Sequence, residues 1–223
     1  MATFQRARSE EQRSERKLSI LLTAAAMLRE MPVSELSLNE LSRRVGLAKS
    51  NVLRYFESRE AVLLELLQQA ARDFLVGVGD QLASLVDAED PLDTRVEAAA
   101  SAISASFGAQ PMLCELLSAE AGVLDHNISI EVATRSKEGA RDALLDFAEM
   151  LRQLFPELSR QRSEQAAMLI IVLIGGLWTH TNPAAPVRAV YDSDPSFAFM
   201  NSDFTDALSQ SLLVLLTGML ALS

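Results

Sequence analysis

The sequence predicts an all-α chain. It has a small N-terminal three-helix head, residues 1–60, and a larger helical body, residues 61–223. Three observations predict this. Apolar residues recur at three- and four-residue spacing along most of the chain, and no segment alternates as a half-buried strand does. Only nine Gly and seven Pro punctuate 223 residues, too few for a turn-rich β chain, whereas the abundant Ala, Leu, Glu and Arg favour helix. Hydrophobic residues make up 49% of the chain, enough for a sizeable core.

The elements follow in order. Residues 1–15 are polar and charged and read as a fraying segment; Arg6, Arg8 and Arg13 make it either a solvated tail or a basic arm that reaches phosphates or a minor groove. Leu18, Leu21, Leu22, Ala25 and Leu28 mark an amphipathic helix over 16–30, which Pro32 ends. Ser37-Leu38-Asn39-Glu40 is a capping box, in which the Ser hydroxyl takes the N3 amide and the Glu reaches back to the Ser amide. Leu38, Leu41 and Val45 form the stripe of the helix it opens, and Gly46 suits the left-handed position that closes it. A second short helix runs from Lys49 to about Phe56, with Val52, Leu53 and Phe56 inward. Ser58 caps a helix that reaches about Gly77 or Gly79.

The body continues the pattern. Pro91 opens a helix to about Phe107, and Pro111 opens another from Met112 to about Leu124. A third spans about Ser129 to Phe155, stopped by Pro156. Ser159 or Ser163 caps a fourth that ends near His180. Residues 182–200, with Pro183, Pro186 and Pro195, read as a long loop, and a last helix spans about Asp203 to Leu222.

Several function classes fall away. The N-terminus has no apolar run and is no signal peptide, and the longest apolar stretch, Ala166–Trp178, is 13 residues, too short to span a bilayer. No membrane association is expected, and the location expected is cytoplasmic. One cysteine, Cys114, and two histidines, His126 and His180, exclude a disulfide and leave no metal set; no cofactor is expected. Cys114 reads as a buried small hydrophobe or as a redox sensor with a lowered thiol pKa. The residues three before the histidines are Val123 and Leu177, so the Glu-x-x-His of a di-iron bundle is missing, and there is neither a Walker loop nor a nucleophile elbow. An enzyme is not expected.

The head points to DNA. Two short helices around a Gly-containing turn make the helix-turn-helix pattern, though a plain helical hairpin reads the same way. Residues 1–60 hold 11 Lys and Arg against 8 Asp and Glu, and residues 61–223 hold 9 against 22, within a net charge of −10. A basic head on an acidic body fits a DNA-reading module joined to a different one, or chance. On the second helix Lys49 can donate to guanine and Asn51 can pair with an adenine edge, while Ser50 permits close approach. Tyr55 and Arg59 would reach phosphates.

In the body, Ala166–Leu177 is apolar all round and Leu212–Leu222 nearly so, which suggests either a subunit interface or the centre of a monomeric bundle. Phe107, Met112, Leu116, Phe147, Met150, Met168 and Trp178 could line an apolar pocket, with His126 and His180 as polar anchors, or could simply be core and helix-end residues.

Residues 37–62, SLNELSRRVGLAKSNVLRYFESREAV, resemble the helix-turn-helix signature of the tetracycline-repressor (TetR) family of bacterial regulators. The agreement is in one register: Ser37 opening the first helix, Leu41-Ser42, Gly46 at the turn, Leu53-Arg54-Tyr55-Phe56 closing the recognition helix, and Arg59-Glu60 opening the next. The family usually carries an aromatic at the place of Leu53, so Arg54 or Tyr55 takes over that contact. The resemblance implies DNA contacts by Lys49, Ser50, Asn51, Arg54, Tyr55 and Arg59. It also implies a helical C-terminal domain that binds a small molecule and dimerises through its last two helices. The expected function is a repressor that holds a pseudo-palindromic double-stranded operator as a homodimer and is released by a small-molecule effector. The alternative is a regulator of the same type governed by a protein partner, or an activator. The expected effector pocket is Phe107, Met112, Leu116, His126, Phe147 and Trp178.

Overall fold

The computed structural model describes residues 2–85 and 89–222, and of residues 2–9, 80, 81, 83 and 198–200 it describes the backbone only. Every regular element among the described residues is helical. Ten α-helices run in order: α1 Ala2–Leu28, α2 Leu38–Val45, α3 Lys49–Val52, α4 Arg59–Leu85, α5 Leu92–Gly108, α6 Pro111–Ala119, α7 Ile130–Leu154, α8 Arg160–Thr181, α9 Ala185–Ser193 and α10 Phe204–Ala221. Short 3-10 helices occupy Val33–Glu35 and Pro195–Met200, and a π turn, Glu120–Leu124, extends α6.

The helix ends follow local chemistry. The Glu40 N–H donates to Ser37 Oγ at 3.2 Å, so the hydroxyl half of the capping box forms. The Glu40 carboxylate instead accepts from Arg43 and Arg44. Gly46 closes α2 at φ 74°, and its N–H donates to the Arg43 carbonyl at 3.2 Å. Ser58, Ser159 and Asp203 cap α4, α8 and α10 by accepting from backbone amides.

Two expectations are corrected. α1 does not begin at 16 but at Ala2; the side chains of Arg6 and Arg8 lie outside the described residues. Residues 10–16 are all exposed, so this stretch is held by helix propensity rather than by an apolar stripe. The region 182–200 is not a loop but α9 followed by the 3-10 turn. Pro186 sits in the first turn of α9, where a missing amide breaks no hydrogen bond.

The chain divides into two compact units: Met1–Gln69 with Ala119–Lys137, and Ala70–Ser118 with Glu138–Ser223. The boundary expected at residue 60 falls within α4. In the first unit α1 packs on α2 and α2 on α3, around Ile20, Met27, Leu36, Leu41, Val52 and Leu63. In the second, α10 packs on α5 and α8 and buries the stripe Phe204, Leu208, Leu212, Leu216 and Met219. By length and composition alone α10 is apolar enough to cross a membrane. Arg95 is buried in this unit; its guanidinium donates to the Leu154 carbonyl at 3.2 Å and pairs with Glu157.

Candidate nucleic-acid interface

The second helix of the motif is amphipathic over a single turn. Val52 is fully buried and Phe56 nearly so, and burying each side chain stabilises the motif by roughly 1.5–3 kcal/mol. The Lys17 ammonium lies 5.0 Å from the Phe56 ring centroid and pairs with Glu65 at 3.1 Å, tying α1 to α4 behind the helix. With this face fixed inward, the spacing turns Lys49, Ser50, Asn51 and Arg54 outward, all exposed, with Tyr55 half-buried. Leu53, expected inward, is 41% exposed.

The helix is shorter than the sequence suggests. Its α pattern ends at Val52, with the Leu53 N–H donating to the Lys49 carbonyl at 3.0 Å. Beyond it the Arg54 and Tyr55 amides donate three residues back, to Asn51 and Val52, at 3.2 and 2.9 Å. Arg54 and Tyr55 therefore sit on a tighter turn than an ideal helix provides.

The cations differ in freedom. Arg43 and Arg44 share Glu40 at 2.6 and 2.9 Å, and Arg44 also meets Glu30 at 2.6 Å. The two guanidiniums hold the Glu40 carboxyl down at about 2. Arg59 is held from behind: Nε donates to Glu60 at 3.0 Å, Nη2 lies 3.0 Å from the same carboxylate, and Nη1 donates to the Leu36 carbonyl at 3.1 Å, so only part of its guanidinium is left to meet a phosphate. Lys49 and Arg54 form no ion pair among the described residues.

Spacing gave no sign of a further set of contacts in this unit. The Ser129 N–H, at the start of α7, donates to Glu57 at 2.6 Å, and Gln68 donates to the Arg135 carbonyl at 3.1 Å. The partners are 72 and 67 residues apart, so no sequence window contains both.

The expected effector residues divide between the units. Phe107, Met112, Leu116, Phe147 and Trp178 belong to the second, and His126, exposed, to the first. Phe107 and Phe147 come together edge to face at 6.3 Å, with Phe74 at 4.2 Å from Phe107 as a third ring. Leu116 is buried and Met112 half-buried. Trp178 packs edge-on against Phe204 at 5.1 Å and donates its indole N–H to Glu115 at 2.9 Å. Cys114 is buried, donates to the Phe107 carbonyl at 3.3 Å, and has its thiol pushed up to about 12 by burial. A thiol so raised is neutral at ordinary pH, which is the small-hydrophobe reading and not the sensor.

Known proteins place both units. Residues 20–66 match the family model described as bacterial regulatory proteins, tetR family, and residues 68–222 match tetracyclin repressor-like, C-terminal domain. The HTH-type transcriptional regulator EthR of Mycobacterium tuberculosis is 36% identical over 80 residues, which is 36% of this chain and 34% of EthR, so the match spans about a third of that relative's length. Among solved structures, the transcriptional regulator FadR of Bacillus subtilis, in complex with stearoyl-CoA, superposes with a TM-score of 0.53 at 15% identity, covering 89% of this chain and 96% of that one. A transcriptional regulator from Rhodococcus sp. Rha1 gives 0.55 at 18% identity over 91% and 96%. At these identities the structures speak for the fold.

Proposed function

Because this chain belongs to the tetracycline-repressor family of bacterial transcriptional regulators, we propose that it is a homodimeric repressor that holds a pseudo-palindromic operator and lets go when a small molecule binds. The observation that carries the reading is the two-faced recognition helix: Val52 and Phe56 buried, with Lys49, Ser50 and Asn51 exposed on the other side. Lys49 and Asn51 read base edges, Ser50 allows close approach, and Arg54, Tyr55 and Arg59 hold phosphates.

The second unit supports dimerisation. α8 leaves Met168, Leu169 and Val172 exposed, and α10 leaves Val214 75% exposed. Large apolar side chains grouped on two helices that pack on each other mark a surface awaiting a partner. A Cβ added at Gly176 or Gly218 would meet nothing within 4 Å, so another helix can come close there. A two-fold dimer would set two recognition helices about 34 Å apart, one turn of duplex.

For the effector, the Phe74, Phe107 and Phe147 rings pack on one another and are buried in the second unit, so a ligand there would have to part them, and the similar fold of FadR from Bacillus subtilis was solved with stearoyl-CoA. An acyl or other largely apolar molecule is the class that such an apolar cluster would admit. α4 contributes residues to both units and is the lever. A coupling of about 1–3 kcal/mol would lower operator affinity roughly 5–150-fold.

The test is fluorescence anisotropy at two salt concentrations, with DNA from upstream of the protein's own gene against a scrambled duplex. The wild type should prefer the former, and Lys49→Ala/Asn51→Ala should lose the preference. Equal binding of both duplexes by wild type and variant would refute operator reading by this helix.

A further inference from the structure

We propose that the N-terminal part of α1 is a second DNA-binding element. Arg13 and Arg16, together with Arg54 and Tyr55, form a groove that seats backbone phosphates of the duplex beside the bases read by Lys49 and Asn51. The proposal rests on the operator-reading function above and adds residues and a footprint that the helix-turn-helix does not supply.

The geometry comes first. Because α1 is continuous from Ala2, residues 12–19 are held as helix, and Gln12, Arg13, Arg16 and Ser19 fall on adjoining positions of one face. That face, with Glu15, meets Arg54 and Tyr55 across an open groove of about 700 Å³ within the first unit. Two of the walls are therefore residues already assigned to DNA, and the groove continues the reading surface.

Charge says what occupies it. Lys17, Arg43, Arg44 and Arg59 are each tied to a carboxylate. Arg13, Arg16 and Arg54 form no ion pair among the described residues, and all three line this one groove against a single carboxylate, Glu15. Three guanidiniums against one carboxylate give this open cleft a positive potential that draws an anion. A phosphodiester strand supplies anions at regular spacing and accepts forked N–H donation from arginine. The tyrosine phenol adds a neutral donor of the kind that fixes phosphate position without reading sequence.

The experiment compares the full chain with Arg13→Ala/Arg16→Ala, Arg13→Lys/Arg16→Lys and Arg72→Ala/Arg188→Ala. The last pair removes two exposed cations of the second unit that form no ion pair among the described residues, and controls for net charge. The probes are the upstream duplex and its scrambled counterpart, titrated across salt. Each phosphate contact adds about 0.9 to the slope of log affinity against log salt. Arg13→Ala/Arg16→Ala should flatten that slope by roughly two per head, and affinity for both duplexes should fall together with their ratio within about twofold. The lysine pair should restore most of the slope, and the control should leave it within error.

An unchanged slope in Arg13→Ala/Arg16→Ala, or an equal drop in the control, overturns the proposal. Lys49→Ala/Asn51→Ala in the same series keeps the two questions apart. If that variant loses discrimination while the arginine variant keeps its slope, operator reading stands and the groove does not. If wild type binds neither duplex, both fall. Thermal unfolding of each variant checks folding, and these exposed side chains should leave the midpoint unmoved.

Discussion

Gly46 is the residue on which the geometry of the reading head turns, and its substitution has a cost that can be worked from the structure. Gly46 sits at φ 74°, ψ 29°, in the left-handed region, between the last turn of α2 and Leu47, whose N–H donates to the Ser42 carbonyl at 3.0 Å. A Cβ placed there would meet nothing within 4 Å, so no neighbour has to move. The penalty of Gly46→Ala is therefore backbone strain alone, about 1–2 kcal/mol. The smaller freedom of alanine in the unfolded chain offsets about 0.4–1 kcal/mol of it. The net is about 0–1.6 kcal/mol. For a chain of this size that lowers the thermal midpoint by up to roughly 6 °C. Gly46→Asn, whose side chain tolerates the left-handed region, should lose less than alanine, and Gly46→Val, β-branched, should lose most. Circular dichroism melts of the three variants rank them. A rank order that follows side-chain volume with asparagine beside valine, or a midpoint raised by Gly46→Ala, would refute the reasoning and place the penalty in packing.

Other outcomes follow from single side chains. Glu157→Gln leaves the buried Arg95 guanidinium without its carboxylate; a broken buried pair costs about 3–5 kcal/mol, but Glu157 is 43% exposed and water takes up part of the loss, so about 1–2 kcal/mol is expected from denaturant melts. Arg95 holds the Glu157 carboxyl below its usual range, so this contribution is present above the ordinary carboxylate pKa and fades as pH falls through the depressed value; wild type and Glu157→Gln should converge in stability only under acid. Cys114 should stay unmodified by a water-soluble thiol reagent at neutral pH until the protein unfolds, and prompt labelling of native protein would contradict its burial. Val172→Asp/Val214→Asp puts charge on the exposed apolar face of α8 and α10; sedimentation should give a folded monomer, and an unaltered dimer would move the interface elsewhere.

Where the sequence was readable, the cause was local. Ser37, Gly46, Ser58, Ser159 and Asp203 act within three or four residues of themselves, so caps and turns could be placed without knowing what packs where. The outward set of α3 was legible because Val52 and Phe56 can only be inward. The extension of α1 was not legible, since residues 10–16 are exposed on every side and carry no period. α9 was misread because its proline was taken as a breaker when it stands in the one turn that accepts it, and none of its residues is buried to leave a stripe. Trp178 with Glu115, and Ser129 with Glu57, were beyond reach for a different reason: each joins elements far apart in the chain, and only the fold makes them neighbours.

Charge is where the difference matters most for function. The sequence counts 11 Lys and Arg in residues 1–60, and if all of them met phosphates a dimer would show a salt slope near −20 at about 0.9 per contact. The structure takes three of the eleven out of that count. Lys17, Arg43 and Arg44 spend their charge on Glu65, Glu40 and Glu30 inside the head, where they hold helices together and stand largely cancelled toward a polyanion. Among the described residues Arg13, Arg16, Arg29, Lys49 and Arg54 form no ion pair, Arg59 keeps N–H groups beyond those that meet Glu60 and Leu36, and the side chains of Arg6 and Arg8 lie outside the described residues. With Lys49 on a base edge, Arg13, Arg16, Arg54 and Arg59 make four phosphate contacts per head and give a dimer slope of roughly −7. Arg54 and Arg59 alone supply only about −4, so a measured slope of about −7 calls for contacts beyond these two, and the Arg13→Ala/Arg16→Ala variant says whether α1 makes them. The salt dependence of the wild-type protein, taken before any mutation, therefore already distinguishes a head that holds phosphates by Arg54 and Arg59 alone from one that makes further contacts.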